Sequence, residues 1–270
     1  MKKVILITGA SSGIGLATAR QLISEDYVVY ASARKNDAYH EIKDKGGFPL
    51  RVAMEDEVTM KAAVDEVIKD QGRIDVLFNH AGWGHYGPIE EMPLETARTL
   101  FEINLFGLAR LTQLVIPHMR KQKSGTIMNT SSIGGKVYFP LGAWYHASKH
   151  AIEGWSDCLR LEMKPHGIRV IIIEPGIIDT GFNEAMIGRI ADLKSTGAYD
   201  RIKNIMLSRN ERTGDRGSSP EVIANLVSKA LRAKRPKTRY HAGKISTSIL
   251  LARQYLPDKL FDRLILSRFK

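Results

Sequence analysis

The sequence predicts the α/β fold class: a single domain built on a doubly wound parallel sheet, with a basic helical C-terminal extension. Three observations support this prediction. Short runs rich in apolar and β-branched residues alternate with helix-length amphipathic segments along most of the chain. Several of these runs are apolar at every position, which is typical of strands covered by helices on both faces. A glycine-rich turn follows the first run directly.

Seven short runs are predicted to be strands because they are apolar and rich in β-branched residues. They are residues 4–9, 27–32, 48–54, 74–80, 125–131, 168–175 and 238–242. The helical spacing of apolar residues between them predicts the main helices. The first helix begins near residue 13, and the others cover about 58–68, 93–121, 144–164 and 220–233. The polar segment 182–219 fits neither period and is predicted to be irregular, either a flap over a site or a surface excursion.

The domain organisation follows from the order of these segments. Residues 1–242 are predicted to form one domain, in which 182–219 is a substrate loop, and residues 243–270 a helical extension. Two short helices are expected in the extension because Pro257 interrupts an apolar-periodic stretch and suits a first helical turn. A pocket lid, a subunit contact and a membrane-surface helix are all open roles, and packing against its own domain is favoured.

The positive charge of the chain is uneven. The net charge is +11, and residues 229–270 hold twelve Lys and Arg against two acidic residues, so this segment carries +10. A basic, partly apolar tail is found in proteins that bind anionic surfaces, membranes or nucleic acids. A solvated cationic face is the more ordinary interpretation; nucleic acid is not expected as a partner, and membrane contact is not favoured.

The compartment is predicted from what the sequence lacks. A single cysteine, Cys158, excludes an internal disulfide and fits a reducing environment. Cys158 lies in an apolar-periodic segment and is predicted to be buried. No apolar run reaches the length that spans a bilayer, and the N-terminal run is too short for the core of a signal peptide. A cytoplasmic protein is expected.

The glycine turn predicts a dinucleotide site. TGASSGIG spans residues 8–15, and its glycines at 9, 13 and 15 permit a tight turn and a close approach of backbone amides to a pyrophosphate. The helix that starts there directs its positive end at the phosphates. A lone glycine-rich turn is weak evidence, but its place between a first strand and a helix of an alternating chain makes it specific.

The end of the second strand indicates which dinucleotide binds. Sites for NAD usually place an acidic residue there, whereas this strand ends in Ser32-Ala33-Arg34-Lys35. A carboxylate would repel a 2′-phosphate, and Arg34 can bind one by charge-assisted hydrogen bonds. The sequence therefore favours NADP(H) over NAD(H).

Several short motifs occur in one order along residues 3–185. They are the glycine turn, NHAG at 79–82, Asn104 in INLFG, Ser132 in NTSSIGG, YHASK at 145–149, and Pro175-Gly176 followed by Thr180. In this combination the chain resembles the short-chain dehydrogenases/reductases. The longer strings around NHAG and YHASK are most similar to the branch of 17β-hydroxysteroid dehydrogenases, retinol dehydrogenases and bacterial relatives.

This resemblance implies the site residues. The catalytic set is Asn104, Ser132, Tyr145 and Lys149. The cofactor-binding set is Gly9, Ser11, Ser12, Gly13, Ile14, Gly15, Arg34, Met54, Asn79, Ala81, Gly82, Tyr145, Lys149, Pro175, Gly176, Ile178 and Thr180. The resemblance also implies a bond from Lys149 to the nicotinamide ribose, a water held by Asn104, and a homodimer or homotetramer paired through the two long helices.

The spacing of Tyr145 and Lys149 fits this chemistry. Residues four apart share a helix face, so the phenol lies beside the ammonium. A free tyrosine has a pKa of ~10, and a neighbouring cation favours the phenolate, which makes tyrosine a usable acid and base. Ser132 would stabilise charge on the same substrate oxygen.

Two positions depart from the family pattern. Ala53 occupies the place of an aspartate that often contacts the adenine amino group, which leaves a backbone contact from Met54. His80 replaces the second asparagine of the family's NNAG and keeps some hydrogen-bonding capacity.

The substrate side is predicted to be apolar. Ten residues after strand ends are candidates to face the nicotinamide: Trp83, His85, Tyr86, Val137, Tyr138, Phe139, Trp144, Ile177, Phe182 and Met186. They predict a pocket for a hydrophobic ketone, aldehyde or alcohol, although core and dimer-face packing explains about half of them equally well. The eight histidines include no pair at metal-ligand spacing in a plausible context, so no catalytic metal is expected.

The oxidoreductase interpretation has two competitors. A non-catalytic NADP(H)-binding sensor or regulator on the same fold is the alternative, and the intact catalytic set argues against it. A sugar-nucleotide epimerase or dehydratase fits the glycine spacing and the chain length poorly.

Overall fold

A seven-stranded parallel sheet forms the centre of the computed structural model, which describes residues 2–32, 36–191, 196–212 and 217–269. The strand order is β3-β2-β1-β4-β5-β6-β7, and all neighbouring strands run parallel. The strands are β1 Val4–Ile7, β2 Val28–Ser32, β3 Phe48–Leu50, β4 Val76–Asn79, β5 Gly125–Thr130, β6 Ile168–Pro175 and β7 Arg239–Ala242. The predicted fold class is confirmed, and the strands fall within or close to the predicted segments.

Helices cover both faces of the sheet. They are α1 Gly13–Ser24, α2 Asn36–Asp44, α3 Glu57–Gln71, α4 Leu94–Phe101, α5 Leu108–Gln122, α6 Ala143–Met163, α7 Gly181–Ala191, α8 Asp200–Arg212, α9 Glu221–Arg232, α10 Ser246–Tyr255 and α11 Asp258–Leu266. Successive residues of β1 alternate between two cores. Val4 and Leu6 pack in a cluster with α3, α5 and α6, whereas Ile5 and Ile7 pack with α1, α2 and α9.

The strand order places a crevice at the carboxyl end of β1. From β1 the chain adds β2 and β3 on one side and β4 to β7 on the other, so the connections diverge there. Ligands of doubly wound sheets bind in such a crevice. The glycine turn after β1 and the NHAG segment after β4 both lie at this point.

The long helix predicted over 93–121 is interrupted. Residues Glu102–Gly107 form a π-helical turn between α4 and α5. The stretch Leu94–Gln122 is long and apolar enough by composition to cross a membrane, but the core helix of a soluble protein passes the same test. Leu111, Val115 and Met119 of α5 are fully buried against the sheet, as in such a core helix.

Residues 182–219 are not irregular, contrary to the sequence expectation. Within the described part of this segment, α7 and α8 are helical. The apolar side chains that anchor them, among them Met186, Ile190 and Ile202, are separated by many polar residues. The mean hydropathy of the segment is therefore low, and the helical period was not evident.

The prediction for Cys158 is also wrong, because its side chain is exposed. The buried positions around it on α6 are Ile152, Ser156, Leu159 and Met163, which follow one face of the helix. Cys158 falls on the opposite face.

The C-terminal extension packs against its own domain. Its helices contribute Ile249, Phe261 and Ile265 to an apolar cluster with Ile133 and Val137, which lie in the loop after β5. The chain breaks between α10 and α11 at Pro257, where the sequence predicted a break. The extension therefore supports the loop that follows Ser132.

The basic residues of the tail lie on several elements. Among those that the structure describes, Lys229 and Arg232 belong to α9, Arg239 to β7, Arg253 to α10, and Lys259 and Arg263 to α11. One of them, Arg253, is paired with Asp258 at 2.7 Å, so part of the positive charge is compensated within the extension. This division favours solvated cationic faces.

The extension yields a stability prediction. Phe261 has no exposed surface and Leu260 is 46 % exposed, yet the two are neighbours on α11. Truncation of a fully buried Phe to Ala costs about 3–5 kcal/mol of unfolding free energy. We expect Phe261→Ala to lose about 3 kcal/mol in urea denaturation and Leu260→Ala, the matched control, less than about 1 kcal/mol. Equal losses for both variants would contradict the packing of the extension.

Candidate active site

The hydroxyl of Thr8 joins the first glycine turn to the segment after β4. It accepts hydrogen bonds from the backbone N–H groups of His80 and Ala81, both at 3.0 Å. Gly9 follows with a φ of +71°, and a Cβ there would lie 2.8 Å from Ala81 Cα. Only glycine permits this approach, which brings the ends of β1 and β4 together.

The glycine turn also lies against the segment after β6. A Cβ on Gly13, where α1 begins, would lie 2.9 Å from Thr180 Cγ2. Thr180 therefore lies beside the turn of residues 9–15, which includes Ser11, Ser12 and Ile14, whereas Gly176, directly after β6, lies against Gly243 and Lys244. Ile178, in contrast, directs its side chain into the core below.

Asn104 lies in the π-helical turn and is almost fully buried. Its Oδ1 accepts from the backbone N–H of Trp83 at 3.0 Å, and its Nδ2 donates to the carbonyl of Trp83 at 3.0 Å and to Ser148 Oγ at 3.2 Å. The extra residue of the π turn directs this amide inward. Asn104 thus fixes the backbone after NHAG relative to α6, which carries Tyr145.

Tyr145 lies at the start of α6, 7 % exposed, beside Ser132 at the end of β5. Burial raises the pKa of Tyr145, and the neighbouring Ser132 hydroxyl lowers it by a smaller amount. The Lys149 Nζ lies 5.9 Å from the centre of the Tyr145 ring. The sequence argument expected a lowered pKa; in the protein chain itself burial is the larger effect, so the phenol keeps its proton at neutral pH.

Lys149 is a buried cation. Its Nζ donates to the carbonyl oxygen of Thr130 at 3.0 Å. Burial lowers the pKa of Lys149 to about 8, and the negative charge of Glu153 opposes this effect. Lys149 is therefore mainly an ammonium at neutral pH and loses its charge as the pH rises through about 8.

His80 is neutral in this site. Its Nδ1 lies 3.1 Å from Thr130 Oγ1, and its ring stacks on Phe78. Burial and the charge of Lys149 lower the pKa of His80 to about 4. The replacement of asparagine by histidine thus keeps a hydrogen bond, as the sequence argument expected.

Of the other residues predicted to bind the cofactor, some face the site and others do not. Asn79 donates to Thr112 Oγ1 and to Asn129 Oδ1, both at 2.9 Å, so its side chain holds the sheet and α5 together beneath the site. Gly82 faces the catalytic residues, since a Cβ there would lie 2.9 Å from Asn104 Oδ1. Met54 is buried after β3. Arg34 lies outside the described residues.

Only part of the predicted substrate pocket is assembled. Trp83, Tyr86, Phe182 and Met186 join Tyr145 in one apolar cluster with α7 and α8. The ring of His85 packs edge-on against that of Trp83.

The remaining candidates lie elsewhere. Val137, Tyr138 and Phe139 pack against the C-terminal extension, Trp144 lines a surface groove with Phe101 and Phe106, and Ile177 is exposed. The side to which a loop residue turns depends on what packs behind the loop, and the sequence does not show this.

His146, beside the catalytic tyrosine in YHASK, was not recognised from the sequence. Its Nδ1 lies 2.9 Å from the carbonyl of Gly134, and its Nε2 accepts from the backbone N–H of Phe139 at 3.1 Å and lies 3.2 Å from Tyr86 Oη. Burial lowers the pKa of His146 to about 4, which keeps this imidazole neutral. Its place directly after Tyr145 was the available signal.

A second unrecognised element fastens α8 over the apolar cluster. Lys203 and Glu91 form an ion pair at 2.6 Å, and both side chains are nearly inaccessible to solvent. Hydrogen bonds from Lys203 and Thr196 lower the pKa of Glu91 to about 2. The two partners are more than a hundred residues apart, so no local pattern predicts their contact.

The family described as short chain dehydrogenase matches residues 3–188. A curated relative from Bacteroides thetaiotaomicron, named 3-ketodihydrosphingosine reductase, is 33 % identical over 264 residues, which is 96 % of this chain and 95 % of the relative.

Two further proteins are similar over most of their length. An uncharacterised oxidoreductase, YbbO of Escherichia coli K12, is 32 % identical over 98 % of this chain and 94 % of its own. The crystal structure of a short-chain dehydrogenase from Streptomyces avermitilis superposes with a TM-score of 0.82 at 28 % identity, covering 100 % of this chain and 97 % of that one.

Gly107, at the end of the π turn, provides a test of the site's construction. A Cβ at Gly107 would lie 2.1 Å from the carbonyl oxygen of Met54, the proposed adenine contact. We expect Gly107→Ala to displace Met54, to weaken NADPH binding about tenfold and to cost about 1–3 kcal/mol of unfolding free energy. Fluorescence titration and urea denaturation measure the two effects.

The matched control is Gly154→Ala on α6, where an added Cβ meets no atom within 4 Å. It should leave NADPH binding unchanged and raise the unfolding free energy by up to about 1 kcal/mol, since alanine is the better helix former. Normal NADPH binding by Gly107→Ala would show that the position of Met54 is unimportant.

Proposed function

The chain belongs to the short-chain dehydrogenase/reductase family of oxidoreductases, and we propose that it interconverts a hydrophobic ketone or aldehyde and its alcohol with NADP(H). One observation carries this proposal. Ser132, Tyr145 and Lys149 meet in the crevice where the glycine turn ends, with an apolar cluster beside Tyr145.

The chain's residues fit a nicotinamide dinucleotide. The turn after β1 leaves no room for a side chain at Gly9, so backbone groups form its surface. Its amides at the start of α1 would hold the pyrophosphate. Lys149 would hold the ribose, since one of its three N–H groups serves Thr130 and the others remain for a ligand. When bound, the cofactor supplies or accepts the hydride.

Tyr145 is the proposed proton donor in the reductive direction. Its raised pKa means that the phenol carries a proton at neutral pH, and Ser132 lies beside it. Ser132 would donate a hydrogen bond to the same carbonyl oxygen and stabilise the developing negative charge. In the oxidative direction Tyr145 must accept a proton, which the ammonium of Lys149 favours.

The substrate class is proposed from the side chains around Tyr145. Trp83, Phe182 and Met186 form an apolar wall, and α7 and α8 close over it. Such a wall favours apolar groups on the substrate, because their burial is the main source of binding energy. One curated relative is named a 3-ketodihydrosphingosine reductase, and reduction of a keto group is therefore the direction to test first.

The acid–base assignment is tested by Tyr145→Phe, which removes only a hydroxyl. We expect NADPH binding to remain within about threefold and turnover to fall by about 10³-fold or more, since general acid catalysis contributes about 10²–10⁴. NADPH oxidation is measured against carbonyls from small aldehydes to long-chain and polycyclic ketones, wild type beside variant. Full activity in the variant would refute the assignment. Tight NADPH binding without turnover by the wild type would favour a dinucleotide sensor.

The cofactor preference is tested at Arg34. If its guanidinium binds the 2′-phosphate, Arg34→Ala should weaken NADPH binding by about ten- to a hundredfold and leave NADH binding unchanged, since a charge-assisted bond contributes about 1.5–3 kcal/mol. Titrations with both cofactors at fixed salt measure the difference. Equal affinities of the wild type for NADPH and NADH would contradict the preference.

A further inference from the structure

A buried charge cluster lies behind the catalytic helix. It brings together Glu153 and Asp157 of α6, Glu174 of β6, Arg239 of β7 and Lys136 of the loop after β5. Glu153 and Glu174 are 4 % and 3 % exposed. Four separate elements each contribute a charged side chain to one small volume, so its charges must balance there.

Glu153 is the centre of this cluster. Its Oε2 accepts from Lys136 Nζ at 2.9 Å and from Arg239 Nε at 3.0 Å. The Nη2 of Arg239 also donates to Asp157 Oδ2 at 2.6 Å, so the guanidinium binds two carboxylates. Glu153 is therefore the carboxyl group of the cluster that both cations contact at hydrogen-bond distance.

Glu174 is the second carboxyl group of the cluster. Burial, followed by the adjacent charge of Glu153, raises the pKa of Glu174 to about 7. Its Oε1 lies 3.5 Å from Arg239 Nε, a longer contact than that of Glu153 with the same guanidinium. Glu174 is therefore the carboxyl group of the pair that more readily keeps a proton.

Glu153 also reaches the active site. It follows Lys149 by one helical turn, and its negative charge opposes the loss of charge that burial imposes on Lys149. The other titratable groups that face Lys149 are Tyr145 on the same helix and His80 after β4. Among the groups that face Lys149, Glu153 alone is a carboxyl group.

Through Lys136 the same carboxylate holds the serine loop. Lys136 lies four residues after Ser132, and a Cβ on Gly135 would lie 3.1 Å from Glu153 Cγ. Glu153 therefore contacts both the helix of Tyr145 and the loop of Ser132, whose relative position the chemistry requires.

We propose that Glu153 is a positioning residue that keeps Lys149 charged and fixes the Ser132 loop against α6. This inference rests on the proposed role of Lys149. It assigns different consequences to two neighbouring glutamates that are equally buried, which makes it testable.

The test compares pH profiles of kcat/KM for NADPH-dependent reduction. Glu153→Gln removes the charge that favours the ammonium, so the alkaline limb should move to lower pH by on the order of one unit. Glu174→Gln should leave the limb in place and kcat/KM within about threefold, because the negative charge that acts on Lys149 is that of Glu153. Asp157→Asn, the matched control on α6, should not move the limb either.

A second variant, expected to shift the alkaline limb in the opposite direction, covers the case in which Glu153→Gln does not fold. Lys136→Met keeps Glu153 but removes one of its cations, so the alkaline limb should move to higher pH while kcat falls through the loosened serine loop. A folded Glu153→Gln with an unshifted limb would overturn the proposal, as would a Lys136→Met limb that stays or moves to lower pH. Equal damage by Glu174→Gln and Glu153→Gln would overturn the assignment of this role to Glu153.

A second readout separates this inference from the proposed function. In protein labelled with 13C at lysine Cε, the Lys149 signal, assigned with Lys149→Met, titrates without any substrate. A lower midpoint in Glu153→Gln supports the role of Glu153 even where the wild type turns over no carbonyl, an outcome that refutes only the proposed function. An unchanged midpoint refutes the role of Glu153 whatever the activity.

Discussion

Lys149 carries a positive charge into the interior of the domain, and much of the site follows from what a buried ammonium requires. Burial alone disfavours the charged form, so the lysine needs acceptors and a counter-charge close by. The carbonyl of Thr130 provides the acceptor and Glu153 the charge. Because these partners come from the end of β5 and from α6, Lys149 fixes the distance between the strand that precedes Ser132 and the helix of Tyr145.

The π turn at Asn104 meets a second requirement, which is to hold the chain after β4 at the same site. An uninterrupted α-helix from 94 to 122 would direct Asn104 elsewhere, whereas the π turn aims its amide at both backbone groups of Trp83. The same turn ends at Gly107, which admits the carbonyl of Met54. One local irregularity therefore positions the proposed nicotinamide side and the proposed adenine side of the crevice.

Structural features that depend on residues close together in the sequence were predictable. The strands, the glycine turn and the common face of Tyr145 and Lys149 follow from local patterns, and the parallel sheet then brings strand ends together without further information. Glu153 and Glu174 could not be paired in this way, since one lies on a helix, the other on a strand, and their cations come from two further elements. The helices of 182–219 were missed because a few apolar anchors are diluted by polar residues.

The extension illustrates why the loops were hardest to predict. Residues 133–139 have two sides: His146 binds the backbone of Gly134 and Phe139 from the active site, while Phe261 packs against Tyr138 from behind. The charged side chains nearest this contact also take part in it. Arg253 lies over the rings of Tyr138 and Phe261, and Asp262 accepts a hydrogen bond from the Tyr138 hydroxyl. The basic tail, for which composition favoured a solvated cationic face, thus also packs behind the loop of Ser132, and loosening this contact should displace that loop.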